Sequence, residues 1–232
     1  DEILAFAFRA FCGEGKGVAY ADITYGFYKA QVALFGLDAN IVPLRDDLTL
    51  CVDDYMDFPG TIIIANPNAP TGLYLDRAAV EEIVRSNPDH VVIVDEAYVD
   101  FGAESAVELT KKYDNLLVTQ TFSKSRSMAG ARLGFGIANE KLISDLHTIR
   151  YSTNPYNVNR LTLLAGQAAM EDEDYFQKNR RAIMDARAWT RAAVEERGFA
   201  VTDSMTNFLF AKHPGLDGEK LYLELKKRGI LV

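Results

Sequence analysis

Little in this sequence suits a nucleic-acid, membrane or metal partner. Lysine and arginine total 25 against 33 aspartates and glutamates, a formal net charge of −8. No basic surface of the kind that neutralises a phosphate backbone is expected from that balance. No apolar run approaches the roughly 18 residues that cross a bilayer. Cys12 and Cys51 have no metal-ligand spacing and make no disulfide framework, so a reducing cytoplasm is the expectation. His90, His147 and His213 share no motif and read as structural or surface positions. The acidic run from Glu171 to Asp174 lacks calcium-loop spacing and its glycine, and reads as a solvated helix break. Gly134 and Gly136 do not open a helix as a dinucleotide fingerprint would. Internal repeats and low-complexity segments are also missing.

What is present is a globular chain of 232 residues, 48% hydrophobic, long enough for a large core. Residues 2 to 12 are helix-forming and apolar nearly all round, with Asp1 and Glu2 where a helix start favours acidic groups. Gly13 to Gly17 should end that helix. Val18 to Ala21 reads as a short strand and Asn40 to Leu44 as another, with a helix between them closed by Gly36. Thr61 to Ala65, Val91 to Val94, Leu116 to Thr119 and Leu133 to Ala138 read as four fully buried strands. Asp76 can cap a helix that carries Ala79, Val80, Ile83 and Val84 on one face. Such alternation predicts an α/β fold with a mostly parallel central sheet sandwiched by helices, over residues 1–156. A connecting helical region follows over 157–197, broken near Glu171 to Asp174, with Trp189 and its arginines making an amphipathic connector. Residues 198–232 read as the start of a smaller α+β domain, with strands at Phe199 to Thr202 and Asn207 to Ala211 and a helix from Leu216 to Arg228. Position 1 is Asp rather than Met, and the last residues read as a strand just begun, so a piece of a longer chain is expected.

In such sheets ligands gather past the carboxyl ends of the strands. Three consecutive strand ends here present Asn66 in Asn-Pro-Asn-Ala-Pro-Thr-Gly, then Asp95 with Tyr98 three residues on, then Lys124 in a hydroxyl-rich loop. An amide, a carboxylate with a phenol, and an amine together suit a pyridine aldehyde phosphate. A lysine can hold the aldehyde as a Schiff base, while a carboxylate keeps the ring nitrogen protonated. The phosphate calls for amides at a helix start, hydroxyls and a guanidinium. Asp1 and Glu2, Thr121 and Ser123, and Arg132 are the candidates, and Tyr25 can lie over the ring. Arg126, near the lysine, is expected in solvent or a salt bridge.

Those motifs, with Ser-Lys and Gly-Ala-Arg-Leu-Gly, resemble the fold-type-I pyridoxal-phosphate aminotransferases over the whole chain. Thr24 to Tyr28 and Asn154 to Asn159 most resemble the histidinol-phosphate aminotransferases within them. The resemblance implies pyridoxal 5'-phosphate as cofactor and Lys124 as both Schiff-base lysine and proton shuttle. It further implies Asp95 on the pyridine nitrogen, Asn66 and Tyr98 on the ring oxygen, and Tyr25 stacked on the ring. Arg132, Ser123, Thr121 and the amides of Asp1 and Glu2 would form the phosphate cup, with Asn157 near the substrate. The implied activity is transamination of L-histidinol phosphate with 2-oxoglutarate in histidine biosynthesis, by a cytoplasmic homodimer that binds neither nucleic acid nor membrane. The N-terminal arm and the arginine for the substrate α-carboxylate would lie outside this chain. Rival readings are a threonine-phosphate decarboxylase, an aromatic-amino-acid aminotransferase, and a module of the same fold without catalysis.

Overall fold

Alternation along three β-branched strands builds two separate cores. The computed structural model describes residues 1–13 and 17–232. Six strands form one sheet in the order β2-β1-β3-β4-β5-β6: β1 (Gly17–Ala21), β2 (Ala39–Val42), β3 (Gly60–Ala65), β4 (Val92–Asp95), β5 (Leu116–Thr121) and β6 (Gly134–Ile137). Ile62 and Ile64, Val92 and Val94, and Leu116 and Val118 point to one face, where α3 (Arg77–Ser86) lays Val80, Ile83 and Val84 on them. Ile63, Ile93 and Leu117 point to the other face, against Leu4, Ala7 and Phe8 of α1 (Glu2–Phe11), Tyr28 of α2 (Gly26–Phe35) and Leu146 of α4 (Glu140–Thr153). Strands buried on both faces need both coverings, which is why their sequences read as unbroken apolar runs.

The first five strands by position, β2 to β5, pair in parallel, and β6 returns antiparallel along β5. This corrects the expectation of a fully buried strand at Leu133 to Ala138. Gly134 is exposed and Phe135 to Ile137 are half-buried, because the strand lies at the sheet edge. Of the segment expected to end the first helix, residues 14–16 lie outside the described residues. The helix itself is half-buried on most sides, with Arg9 turned to solvent.

Side-chain caps explain most helix starts. Asp76, Asn139, Asn159, Asp172 and Asp217 each accept a backbone N–H from the third residue of the helix they precede. Asp172 also separates α5 (Arg160–Glu171) from α6 (Glu173–Glu195), since its own N–H closes α5 on Ala168. Among the described residues no metal-binding cluster is found at that acidic run. None of the described helices is long and apolar enough to cross a membrane.

Trp189 is 73% exposed, but the arginines of α6 do more than face solvent. Arg187 Nη1 donates to Phe101 O at 3.0 Å and Thr206 O at 2.6 Å, and Arg180 donates to Asp100 O. Arg126 is likewise neither free nor ion-paired. Its guanidinium lies 3.9 Å from the Phe176 ring centroid and donates to Ala169 O. The chain ends in a two-stranded antiparallel sheet, β7 (Ala200–Val201) with β8 (Ala211–Lys212), followed by α7 (Gly218–Lys227). β8 starts later than the apolar pattern predicts because Ser204 and Thr206 fold residues 204 to 208 into a hydroxyl-bonded turn.

Gly60 pairs in register with Gly17, and a Cβ on it would stand 2.1 Å from Gly17 O. Gly60→Ala should therefore push β1 off β3 and cost about 3 kcal/mol. A lowered urea midpoint with unchanged slope would read it. An unchanged midpoint would contradict this register.

Candidate functional site

Register brings the candidate residues together. Ala65 and Asp95 stand side by side at the carboxyl ends of β3 and β4, and Thr119 of β5 pairs in register with Asp95. They share the face of Ile63, Ile93 and Leu117, so Asp95 and Thr119 open toward α1, α2 and α4. Their successors, Asn66, Glu96 and Gln120, point the opposite way. A cavity of about 660 Å³ lies over this face, lined by Asp1, Glu2, Tyr25, Asp95, Tyr98, Thr121, Ser123, Lys124, Arg132 and Asn157.

Asn66 does not line it, which corrects the expectation drawn from its motif. Its Nδ2 donates to Leu75 O at 2.8 Å and its Oδ1 accepts the Leu75 N–H at 2.9 Å. The parity of β3 sends this side chain to the α3 side, where it closes the Asn-Pro turn. Glu96 is similarly structural. Its buried carboxylate accepts from Ser105 Oγ and Ala106 N at 2.6 Å each and from Gln120 Nε2 at 2.7 Å. Burial raises its pKa, and those donors partly offset the rise.

Asp95 is buried and faces the cavity. Tyr28 Oη donates to its Oδ2 at 2.8 Å, while Thr119 Oγ1 is 3.5 Å from Oδ1. Burial pushes the Asp95 carboxyl up despite the hydrogen bonds from Tyr28 and the Ala97 backbone. Its hydrogen-bond donors are neutral, and a cation entering the cavity would offset the cost of burying the charge.

Lys124 reaches the cavity from the loop between β5 and β6, its Nζ 5.1 Å from the centre of the Tyr98 ring. Phe208 meets the Tyr98 ring edge-on at 5.1 Å, so the turn at 204 to 208 supports the site. The loop is folded by its own bonds: Ser127 N donates to Lys124 O, Met128 N to Phe122 O, and Phe122 N to Leu133 O. Thr121 Oγ1 and Ser123 Oγ are 3.0 Å apart on its first turn. Arg132 sits at its end with φ 53°, and its Nη2 is 3.1 Å from Asp1 Oδ2.

Asp1 Oδ1 also accepts Tyr25 Oη at 3.0 Å. Asp1 therefore turns away from the first turn of α1 and caps none of its amides. Those N–H groups, Arg132 and the two hydroxyls make one end of the cavity a fit for an anion. The Glu2 side chain has a separate role from its amide. Its carboxylate accepts from Asn154 Nδ2 at 2.8 Å and from Asn157 Nδ2, so the side chain ties down the 154–157 loop. From the other side Arg150 Nη2 donates to Asn157 O at 2.5 Å.

Tyr28, Thr119 and Arg150 escaped the sequence reading. A signal existed for two of them. Thr119 closes the run expected as the strand beside Asp95, and Tyr28 lies three residues past Tyr25, in the first turn of α2.

The family model described as aminotransferase class I and II matches residues 1–232. The chain is 52% identical over 233 residues to the histidinol-phosphate aminotransferase of Brachyspira hyodysenteriae, covering all of this chain and 66% of that protein. It is 44% identical over 232 residues to that of Clostridium acetobutylicum, again covering 100% and 66%. The chain thus spans just under two thirds of the length of these curated relatives. Among solved structures, the histidinol-phosphate aminotransferase of Clostridium acetobutylicum superposes with a TM-score of 0.91 at 24% identity, over 99% of this chain and 70% of that one. That of Sinorhizobium meliloti, in complex with pyridoxal-5'-phosphate, gives 0.84 at 23%, over 99% and 65%. At such identities these two likenesses show the fold.

Proposed function

The chain belongs to the class I and II aminotransferases, and on that premise we propose that it carries the cofactor site of an enzyme transferring the amino group of L-histidinol phosphate to 2-oxoglutarate. The observation that carries this reading is the convergence on one cavity of Asp95, from the end of β4, with Lys124 and Arg132, from the loop between β5 and β6. The substrate follows the name shared by the curated relatives. A homodimer in the cytoplasm is part of the same proposal, as are the large domain over 1–156, the connector over 157–197 and the small domain from 198.

The residues present fit pyridoxal 5'-phosphate. When bound, that group supplies an aldehyde for an amine to capture and a ring that withdraws electrons from the bond being broken. Lys124 offers the amine, and the same Nζ then moves the proton at the α-carbon of the substrate. Asp95 balances the charge of a protonated ring nitrogen inside a site that already disfavours its lone carboxylate. Arg132, Thr121, Ser123 and the α1 amides hold the phosphate, and Tyr25 covers one ring face. Tyr98 binds the ring oxygen, and Asn66 has no part in it because Leu75 occupies its amide. Asn157, held by Glu2 and Arg150, borders the substrate.

The test is made on the full-length protein with L-histidinol phosphate and 2-oxoglutarate. Glutamate should form with no carbon dioxide released. Carbon dioxide from threonine phosphate without glutamate would replace this reading with the decarboxylase. Failure to bind pyridoxal 5'-phosphate would end both.

A further inference from the structure

Tyr28 is absent from the expected site, yet its hydroxyl is spent on the most buried charge there. The ring is fully buried among Phe8, Tyr20 and Tyr25, with centroids 6.4, 6.1 and 5.7 Å away. Among the described residues its Oη makes one hydrogen bond, to Asp95 Oδ2 at 2.8 Å. We propose that Tyr28 is the positioning residue of the ring-nitrogen site, holding Oδ2 so that Oδ1 of Asp95 is kept toward the cavity as the acceptor for an N–H.

The geometry carries this in three steps. An ionised carboxylate only accepts, so in this pair the phenol donates and Oδ2 is taken. The competing donor on the other oxygen, Thr119 Oγ1, stands at 3.5 Å, the outer limit of a hydrogen bond, so Oδ1 keeps accepting capacity. Packing on several sides fixes the Tyr28 ring, so its hydroxyl cannot follow the carboxylate if Asp95 turns. Removing the hydroxyl would take away the side-chain donor on buried Oδ2 and leave the carboxylate freer to rotate. It would also favour the neutral acid further, because the Tyr28 bond is the largest influence opposing burial. Both effects weaken the pairing with a cationic ring nitrogen and leave the phosphate and aldehyde contacts untouched.

The inference rests on the cofactor reading above, and binding measurements on the full-length protein separate the two. Tyr28→Phe should raise the dissociation constant of pyridoxal 5'-phosphate about tenfold, the range of a buried charge-assisted bond. Affinity for a carbocyclic analogue, with C–H in place of the ring nitrogen, should not change. In an Asp95→Asn background the same substitution should alter pyridoxal-phosphate affinity less than about twofold, since the partner charge is gone. A merely structural Tyr28 would weaken both ligands alike and do so in either background, and that result overturns the proposal. If Tyr28→Phe does not fold, site-specific 3-fluorotyrosine at 28 gives a stronger donor on the same ring. It should tighten pyridoxal phosphate and leave the analogue alone, and no change would overturn the proposal. A parent protein that binds no pyridoxal phosphate brings down the cofactor reading itself. A parent that binds it, with Tyr28→Phe binding equally well, brings down this inference alone.

Discussion

Lys124→Ala in the full-length protein is expected to lower transamination by about four orders of magnitude, the upper range for removing a positioned proton-transfer group. Stability should change little. Among the described residues Lys124 makes no salt bridge, and its Nζ rests on the Tyr98 ring at 5.1 Å, so truncation removes no buried partner. Pyridoxal 5'-phosphate should still associate, because Arg132, Thr121, Ser123 and Asp95 are intact, but the absorbance of a covalent link should vanish. Three readouts decide it together: melting temperature near the parent's, retained cofactor by equilibrium dialysis, and turnover at background. Parental turnover in the variant would refute the role given to this amine.

Asp95→Asn is expected to separate function from stability. Turnover should drop by about 10²- to 10³-fold, the usual cost of removing one preorganised charge partner. The cofactor-free fold should become more stable at neutral pH, and the sign follows from burial. The folded pKa of Asp95 lies above its unfolded value, so the native state holds the extra proton between the two. Stability conferred at low pH is then lost as pH rises through the folded pKa, and above it the cost of burying the charge is fully present. The amide keeps an acceptor for Tyr28 and carries no charge. The gain in urea midpoint should therefore be largest at pH 7 and shrink as pH falls. A variant less stable than the parent at neutral pH would mean that the carboxylate is well compensated without any ligand.

The sheet was legible wherever composition and burial coincide. Thr61 to Ala65 and Leu116 to Thr119 are apolar because both faces are covered, so their sequence reveals them. Leu133 to Ala138 is equally apolar for another reason. Gly136 is small because the Ile3 and Leu117 side chains lie 3.4 and 3.3 Å from where its Cβ would be, and the strand runs antiparallel at an edge. Hydrophobicity carries no strand direction. Asp95 and Lys124 were readable because charge after a buried strand is unusual. Asn66 was misread for want of parity: one residue past Ala65, it belongs to the opposite face. Tyr28 was passed over because an aromatic on a helix ordinarily means core, and core it is, except for one oxygen atom. Arg180 and Arg187 of α6 are bound to backbone carbonyls, which leave no trace in sequence.

The reversal from β5 into β6 places the amine and the guanidinium on one loop, whose ends are pinned by the pairing of Thr121 with Gly134 and of Gln120 with Phe135. On the proposed reading the loop acts as a gauge, because it alone sets the span between the amine that would take the aldehyde and the guanidinium that would take the phosphate. Inserting a residue between Ser125 and Ala131 would reset the gauge, whereas change along the 154–157 loop leaves it untouched. On the same reading, descendants of this chain could change amino donor at the rim while inheriting the same fixed interval beneath it.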